Sequence, residues 1–141
     1  MPHNDLKESS GRFMQDYYYP VNDRVLQKLL KQGSGGQESV YRIFEKFLRD
    51  LLIDDPNDVR TMLRLGVLYR ETGRIGKSLR YLLRCRKSEQ TEFSSQIHFE
   101  LANTYKELGD FQLALEELLQ IQENDFTEGM RELADFCGEM P

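Results

Sequence analysis

The sequence predicts an all-helical protein in which antiparallel helical hairpins stack side by side as a short solenoid. The first observation is a pattern that occurs twice, 36 residues apart, over Leu65–Gly73 and Leu101–Gly109. In each copy a leucine and a small residue are followed by a tyrosine and then by a glycine. An aliphatic run follows each copy, and no segment alternates apolar and polar residues as a strand would. Self-similarity at this period is typical of stacked helical repeats.

Apolar residues at three- and four-residue spacings predict the individual helices. Pro56 ends the first of them, because proline disfavours helical geometry in the residue before it. Gly73 and Gly109 are the predicted turns within the hairpins. Asn57 or Asp58 can cap the second helix, and Thr127 can cap the sixth. The candidates for the fourth helix are Thr91, Ser94 and Ser95. The predicted helices cover Glu38–Ile53, about 58–72, about 75–87, a stripe from Ile97 to Tyr105, Phe111–Ile121, and a short one from Met130 to Cys137.

Composition bounds the class of protein. A chain of 141 residues with 39% apolar content is large enough for one domain with its own core. No apolar run approaches the roughly 20 residues that span a bilayer, and Met1–Asp5 lacks the order of a secretory signal. Cys85 and Cys137 have no CxxC spacing, so neither a disulfide framework nor a metal site is predicted. These features favour a reducing, cytoplasmic location.

Nothing in the sequence indicates catalysis. It contains no glycine-rich phosphate loop, no nucleophile motif and no HExxH, so we expect no enzyme activity, no cofactor and no small-molecule substrate. His98 occupies a position for a large packing residue and is expected in the core or half-buried. Glu116 and Glu117 are expected on a solvated helix face.

Charge is divided unevenly along the chain. The net charge is −5, yet Arg60–Lys87 contains nine basic residues and one acidic residue. From Glu89 to the C-terminus there are thirteen acidic and two basic residues. Such an asymmetry concerns partners and association rather than fold.

A glycine-rich run, Gly33-Ser34-Gly35-Gly36, divides the chain into residues 1–32 and residues 37–141. We interpret it as a flexible linker, typical of an engineered joint, with a natural glycine-rich loop as the alternative. Residues 1–32 combine dense aromatics with a short amphipathic helix that is too short to be stable alone. This segment is expected to dock on the repeats, either in place of a missing helix or as a tethered partner peptide. Its predicted anchors are Phe13, Tyr17, Tyr18, Tyr19, Val25, Leu26, Leu29 and Leu30.

Residues 38–126 resemble the tetratricopeptide repeat family. The family's pattern of a large residue, leucine, a small residue and tyrosine is present as Met62, Leu65, Gly66 and Tyr69, and again as His98, Leu101, Ala102 and Tyr105. The small and large pair of the second helix is present as Ser78 with Leu82 and as Ala114 with Leu118. The resemblance implies a half repeat, two full repeats and a C-terminal capping helix.

The resemblance also implies a function. In this family the first helix of each repeat lines a concave face that binds a short peptide or an amphipathic helix of another protein. The chain is therefore expected to be a protein–protein interaction adaptor. The implied peptide-binding residues are Arg60, Leu63, Arg64, Val67, Arg70, Gln96, Phe99, Glu100, Asn103 and Lys106.

Two alternatives use the charge asymmetry. Basic and acidic repeats could drive self-association into a homo-oligomer. The basic 60–87 surface could instead bind phosphate, nucleic acid or an acidic membrane. The acidic repeat that follows, and the spread of the basic residues around two helices, argue against nucleic acid as a partner.

Overall fold

The computed structural model describes residues 34–88 and 92–140, and all regular structure in these two ranges is helical. No strand occurs within them. No helix in the described part of the chain has both the length and the apolar character that a membrane span requires. The elements are α1 Ser34–Asp54, α2 Val59–Glu71, α3 Ile75–Lys87, α4 Ser94–Glu107, α5 Phe111–Leu118, a 3₁₀ turn Glu123–Asp125, and α6 Glu128–Glu139.

The helices form a stack in chain order. Each helix packs against the next one along the chain. In addition, α2 contacts α4, and α4 contacts α6. Helices α2 and α3 form the first hairpin and α4 and α5 the second, with α1 before them and α6 after them. The predicted all-helical stack of hairpins, like a short tetratricopeptide-type array, is confirmed.

The ends of the helices follow mostly from local chemistry. Asp58 accepts a hydrogen bond from the Arg60 amide at 3.1 Å, and Thr127 accepts one from the Met130 amide at 3.2 Å, so both predicted caps are confirmed. Gly73 and Gly109 each have φ +81°, the left-handed geometry that ends a helix and that glycine adopts without strain.

The predicted cap of the fourth helix is wrong for two of its three candidates. Ser94 and Ser95 lie inside α4, which begins after Phe93 without a side-chain cap. Ser95 instead donates to Asp125 at 3.1 Å, linking α4 to the 3₁₀ turn. The third candidate, Thr91, lies outside the described residues.

Helix α1 is longer than the predicted Glu38–Ile53. It begins at Ser34, so it includes Ser34, Gly35 and Gly36 of the glycine-rich run that the sequence suggests is a linker. Glycine costs roughly 1 kcal/mol relative to alanine inside a helix, so this first turn is intrinsically weak. Residues 1–33, including the eight predicted anchors of the N-terminal segment, lie outside the described residues.

Two buried clusters form the core. The first joins α1, α2 and α3 with the start of α4, and the second joins α4, α5 and α6. Four residues of the predicted apolar stripes are exposed instead: Ile43 is 55%, Leu113 36%, Leu119 80% and Phe136 41% exposed. Leu119 points to solvent because α5 ends at Leu118, earlier than the predicted Ile121.

Close approach within the first hairpin depends on Gly66. A Cβ atom at this position would lie 2.6 Å from both Cγ and Cδ2 of Leu82, which is 0% exposed. The neighbouring Ser78 hydroxyl donates to the Gly66 carbonyl at 2.7 Å. The small residues Gly66 and Ser78 therefore let α2 and α3 approach closely, with the Leu82 side chain packed directly against the α2 backbone.

Candidate functional site

The ten predicted peptide-binding residues lie on α2 and α4, the first helices of the two hairpins. They form two sets of five at equivalent positions, 36 residues apart in the sequence. We call them together the α2–α4 face. Its α2 half is Arg60, Leu63, Arg64, Val67 and Arg70, and its α4 half is Gln96, Phe99, Glu100, Asn103 and Lys106.

The apolar part of the α2 half is fully buried. Leu63 and Val67 are both 0% exposed and belong to the first core cluster, and Arg64 is 2% exposed. All nine residues from Thr61 to Tyr69 are buried, so every side of α2 is covered over more than two turns. Among the described elements, α2 contacts α1, α3 and α4. Leu63 and Val67 therefore do not line an open groove in this structure.

An ion pair joins the two halves. An Nη atom of Arg70 donates to Oε1 of Glu100 at 2.5 Å, and the Glu100 side chain is 0% exposed. Burial raises the pKa of Glu100, while the Arg70 charge and hydrogen bond oppose that rise. Neither Oε2 of Glu100 nor Nε of Arg70 has a hydrogen-bond partner within the described residues. The pair is thus a buried charge contact with one unused polar atom on each side.

The apolar residue of the α4 half packs on the second core. Phe99 is half-buried, and its Cζ atom lies 3.9 Å from where a Cβ atom of Gly129 at the start of α6 would stand. Asn103 is half-buried, and its amide nitrogen donates to the Phe99 carbonyl at 3.2 Å. Its amide oxygen keeps capacity to accept a hydrogen bond from a ligand.

The remaining residues form the polar margin of the face. Gln96 is exposed. The Arg60 guanidinium lies 5.3 Å from the centre of the Phe93 ring, and the Lys106 ammonium lies 5.3 Å from the centre of the Phe136 ring. Both cations are half-buried, with their charged ends held over aromatic rings.

Two carboxylates outside this face, one buried and one half-buried, make side-chain contacts that were not predicted. Glu117 is 7% exposed, so the expectation that it lies on a solvated face is wrong, whereas Glu116 is exposed. Glu117 accepts a hydrogen bond from Arg86 through Oε2, and its Oε1 lies 2.8 Å from Nδ1 of His98. His98 is half-buried, as its position in the repeat pattern predicts. The spacing of Glu117 to Arg86 and His98, 31 and 19 residues away, gives no local sequence signal.

Glu45 of α1 is the second such carboxylate. The Tyr69 hydroxyl and the Arg74 guanidinium both donate to it at 2.8 Å. Burial acts to raise the pKa of Glu45, but these two hydrogen bonds and the Arg74 charge outweigh it, and the pKa is lowered. Burial and the Glu45 contact together raise the pKa of Tyr69. This cluster fastens the half repeat to the first hairpin.

Both cysteines are buried free thiols. Burial raises the pKa of the Cys85 thiol to about 12, and its sulfur donates to the Val59 carbonyl at 3.7 Å. Burial also raises the pKa of Cys137. Within the described residues, no three His, Cys, Asp or Glu side chains are grouped to hold a metal ion.

Comparison with known families confirms the resemblance drawn from the sequence. Residues 95–127 match the model of the tetratricopeptide repeat family. The match begins in α4, includes all of α5 and ends at the Thr127 cap of α6. A search of curated proteins found no match to the chain. The second hairpin therefore carries the family pattern most clearly.

Proposed function

We propose that this chain is a non-catalytic adaptor that binds a short peptide or an amphipathic helix of a partner protein on the α2–α4 face. Repeats of the matched family generally serve protein–protein interaction, and the match includes nearly all of α4 and all of α5. The ligand class is a polypeptide, because the face combines apolar residues with amide and charged groups along two neighbouring helices.

The accessible α4 half of the face is the observation that carries the proposal. Phe99, Asn103 and Lys106 are half-buried and Gln96 is exposed. On α2, by contrast, Leu63, Val67 and Arg64 are at most 2% exposed, and the described helices packed against α2 include α1, α3 and α4. The α4 half, with an aromatic ring, an amide and a cation still partly accessible, therefore supports contact with a partner polypeptide.

Residues 1–32 are the proposed first ligand of this face. The segment is rich in aromatic and aliphatic residues, which supply most anchoring energy at interfaces. A short tether would hold it at roughly millimolar effective concentration. In this proposal it is either a stand-in for the first helix of the half repeat or a tethered copy of a partner peptide.

The tether provides a direct test. A protease site placed before Gly33 would allow the folded protein to be cut between the segment and α1. We expect the 1–32 fragment to remain bound through gel filtration and to rebind after separation, as measured by fluorescence anisotropy. A fragment that leaves at once and shows no measurable rebinding would exclude it as a ligand.

Variants of the α4 half test the face independently of the tether. In pull-downs with the full chain, Asn103→Ala and Phe99→Ala should reduce capture of partner proteins. Leu119→Ala is the matched control, because it truncates an apolar side chain that is 80% exposed and outside the face. Circular dichroism should show that each variant is folded. If Asn103→Ala and Phe99→Ala both retain every partner, the assignment of this face is wrong.

A further inference from the structure

A groove lies between α1 and α3, in the layer of second helices and away from the α2–α4 face. Its volume is about 590 Å³. Leu52, Ile53 and Tyr81 supply its apolar surface. Its cations are Arg42, Lys46, Arg49 and Arg84.

The basic side chains along this groove are arranged as stripes. On α1 the three cations follow one another at spacings of four and three residues, and therefore share one side of the helix. Helix α3 presents a second exposed set at spacings of three, four and three, of which Arg84 lines the groove. These stripes are Arg42, Lys46 and Arg49 on α1, and Lys77, Arg80, Arg84 and Lys87 on α3.

The two carboxylates of the groove do not neutralise it. Glu45 accepts hydrogen bonds from Tyr69 and Arg74 at 2.8 Å each, and it also lies 3.8 Å from the exposed Arg49. Asp50 pairs with Lys46 at 2.9 Å, but the two side chains are 56% and 79% exposed. Exposed pairs of this kind are weak and exchange readily with an incoming partner. The groove is left with an excess of positive charge next to apolar surface.

Helix α6 carries the complementary pattern at the other end of the stack. Glu128, Glu132, Asp135 and Glu139 are all exposed, and their spacings of four, three and four residues place them on one side. This acidic stripe is about 16 Å long, the same as the distance from Arg42 to Ile53 on α1. Phe136, 41% exposed, lies beside the stripe.

These two surfaces cannot meet within one chain. Helix α1 packs against α2 at the start of the array, whereas α6 packs against α5 and α4 at its end. We propose that the acidic stripe of α6 docks in the α1–α3 groove of a second copy, so that the protein associates head to tail.

Charge complementarity favours this occupant over the N-terminal segment. Residues 1–33 contain five basic and four acidic residues, so they offer no acidic stripe to the groove. Helix α6 has five charged residues, of which only Arg131 is basic. Opposite potentials of this kind set orientation and steer encounter. Because the two docking surfaces differ, the contact is heterologous, so that further copies add to form a ring or an open chain.

Sedimentation velocity tests the association directly. For the full chain we expect the average mass to rise between about 20 μM and about 1 mM protein at low salt, the range of small, transient interfaces. Raising the salt from about 20 mM to about 300 mM should weaken association by roughly tenfold, because the Debye length falls from about 20 Å to about 6 Å. A monomer under all these conditions would overturn the proposal.

Charge reversal on each of the two surfaces distinguishes this specific contact from the general electrostatic repulsion between copies. Arg42→Glu/Lys46→Glu removes the basic groove, and Glu132→Arg/Asp135→Arg removes the acidic stripe; each should weaken self-association by about tenfold or more. The second double variant changes the net charge from −5 to −1, so general repulsion alone would make it associate more strongly. The matched control, Glu107→Arg/Glu116→Arg, makes the same change of charge at exposed positions elsewhere and should not weaken association.

Mixing the two reversed proteins completes the test. Each keeps one working surface, so the mixture should recover association that neither shows alone. Failure of the mixture to associate would contradict the proposal. The proposal would also be contradicted if the wild-type chain stayed monomeric and its groove instead bound a fluorescent oligonucleotide, with that binding lost in Arg42→Glu/Lys46→Glu.

Discussion

The two hairpins place different side chains at the same positions of the repeat. In the first, α2 carries Leu63 and Val67, both 0% exposed, while the equivalent residues of α4, Phe99 and Asn103, are half-buried. At the third equivalent position the charge is reversed, with Arg64 on α2 and Glu100 on α4. At two of these three positions the first hairpin is thus fully buried where the second is half-buried, whereas Arg64 and Glu100 are both buried. Position in the array, more than the repeat pattern, decides what a given side chain does.

The largest expected effect comes from the ion pair between the hairpins. Arg70→Met leaves Glu100 buried without its partner, and such a change typically costs about 3–5 kcal/mol. Because burial raises the pKa of Glu100 above 4.5, the protonated carboxyl is the form that the folded state favours. The stability that this protonated carboxyl contributes is present below pH 4.5. It is lost as the pH rises through the pKa of Glu100 in the folded protein. Urea denaturation should therefore show a larger loss at pH 7 than near pH 4.

The control for this change is the double variant Arg70→Met/Glu100→Met. It removes both charges and should recover much of the stability lost in Arg70→Met. Equal losses in the single and double variants, or a loss that does not grow with pH, would show that the Glu100 charge is not the cause.

The next largest effect distinguishes Gly66 from Ala102, the small residues at equivalent positions of α2 and α4. Gly66→Ala places a Cβ atom 2.6 Å from Leu82, and overpacking of this kind costs about 1–3 kcal/mol. At the equivalent position the chain already has Ala102, so Ala102→Gly creates no clash and should cost about 1–2 kcal/mol through helix propensity and the loss of a buried methyl group. Thermal denaturation of the two variants compares them. A neutral Gly66→Ala variant would mean that Leu82 moves aside easily.

The repeat pattern predicted the hairpins because it is local. Gly73 and Gly109 end their helices through their own backbone geometry, and Asp58 and Thr127 cap through neighbouring amides. The burial of Leu63 was not predicted, because it depends on which elements surround α2.

Side-chain partners across the stack were not predictable from spacing either. Glu45 lies 24 residues from Tyr69, and Glu117 lies 31 residues from Arg86. The position of His98 was predicted because the repeat pattern specifies a large residue there, whereas nothing local distinguishes Glu117 from the exposed Glu116.

The two repeat tyrosines should differ in a smaller way. The Tyr69 hydroxyl donates to Glu45 at 2.8 Å, whereas no hydrogen bond of the Tyr105 hydroxyl is found in the described part of the chain. Tyr69→Phe should cost about 1–2 kcal/mol, since the lost bond has a charged acceptor that is partly exposed. Tyr105→Phe should change the free energy of unfolding little. Chemical denaturation measures both, and equal effects would show that the Glu45 contact contributes nothing.

The smallest effect is a change in acid stability. Because hydrogen bonds and the Arg74 charge lower the pKa of Glu45 below 4.5 despite its burial, its ionised form stabilises the fold. That stability is present above pH 4.5 and is lost as the pH falls through the folded pKa. Glu45→Gln should therefore lower the melting temperature at pH 7 and flatten its decline on acidification. Asp50→Asn is the matched control, because within the described residues its ion pair is with the exposed Lys46. If the two variants show the same acid profile, Glu45 does not fasten α1 to the first hairpin through its charge.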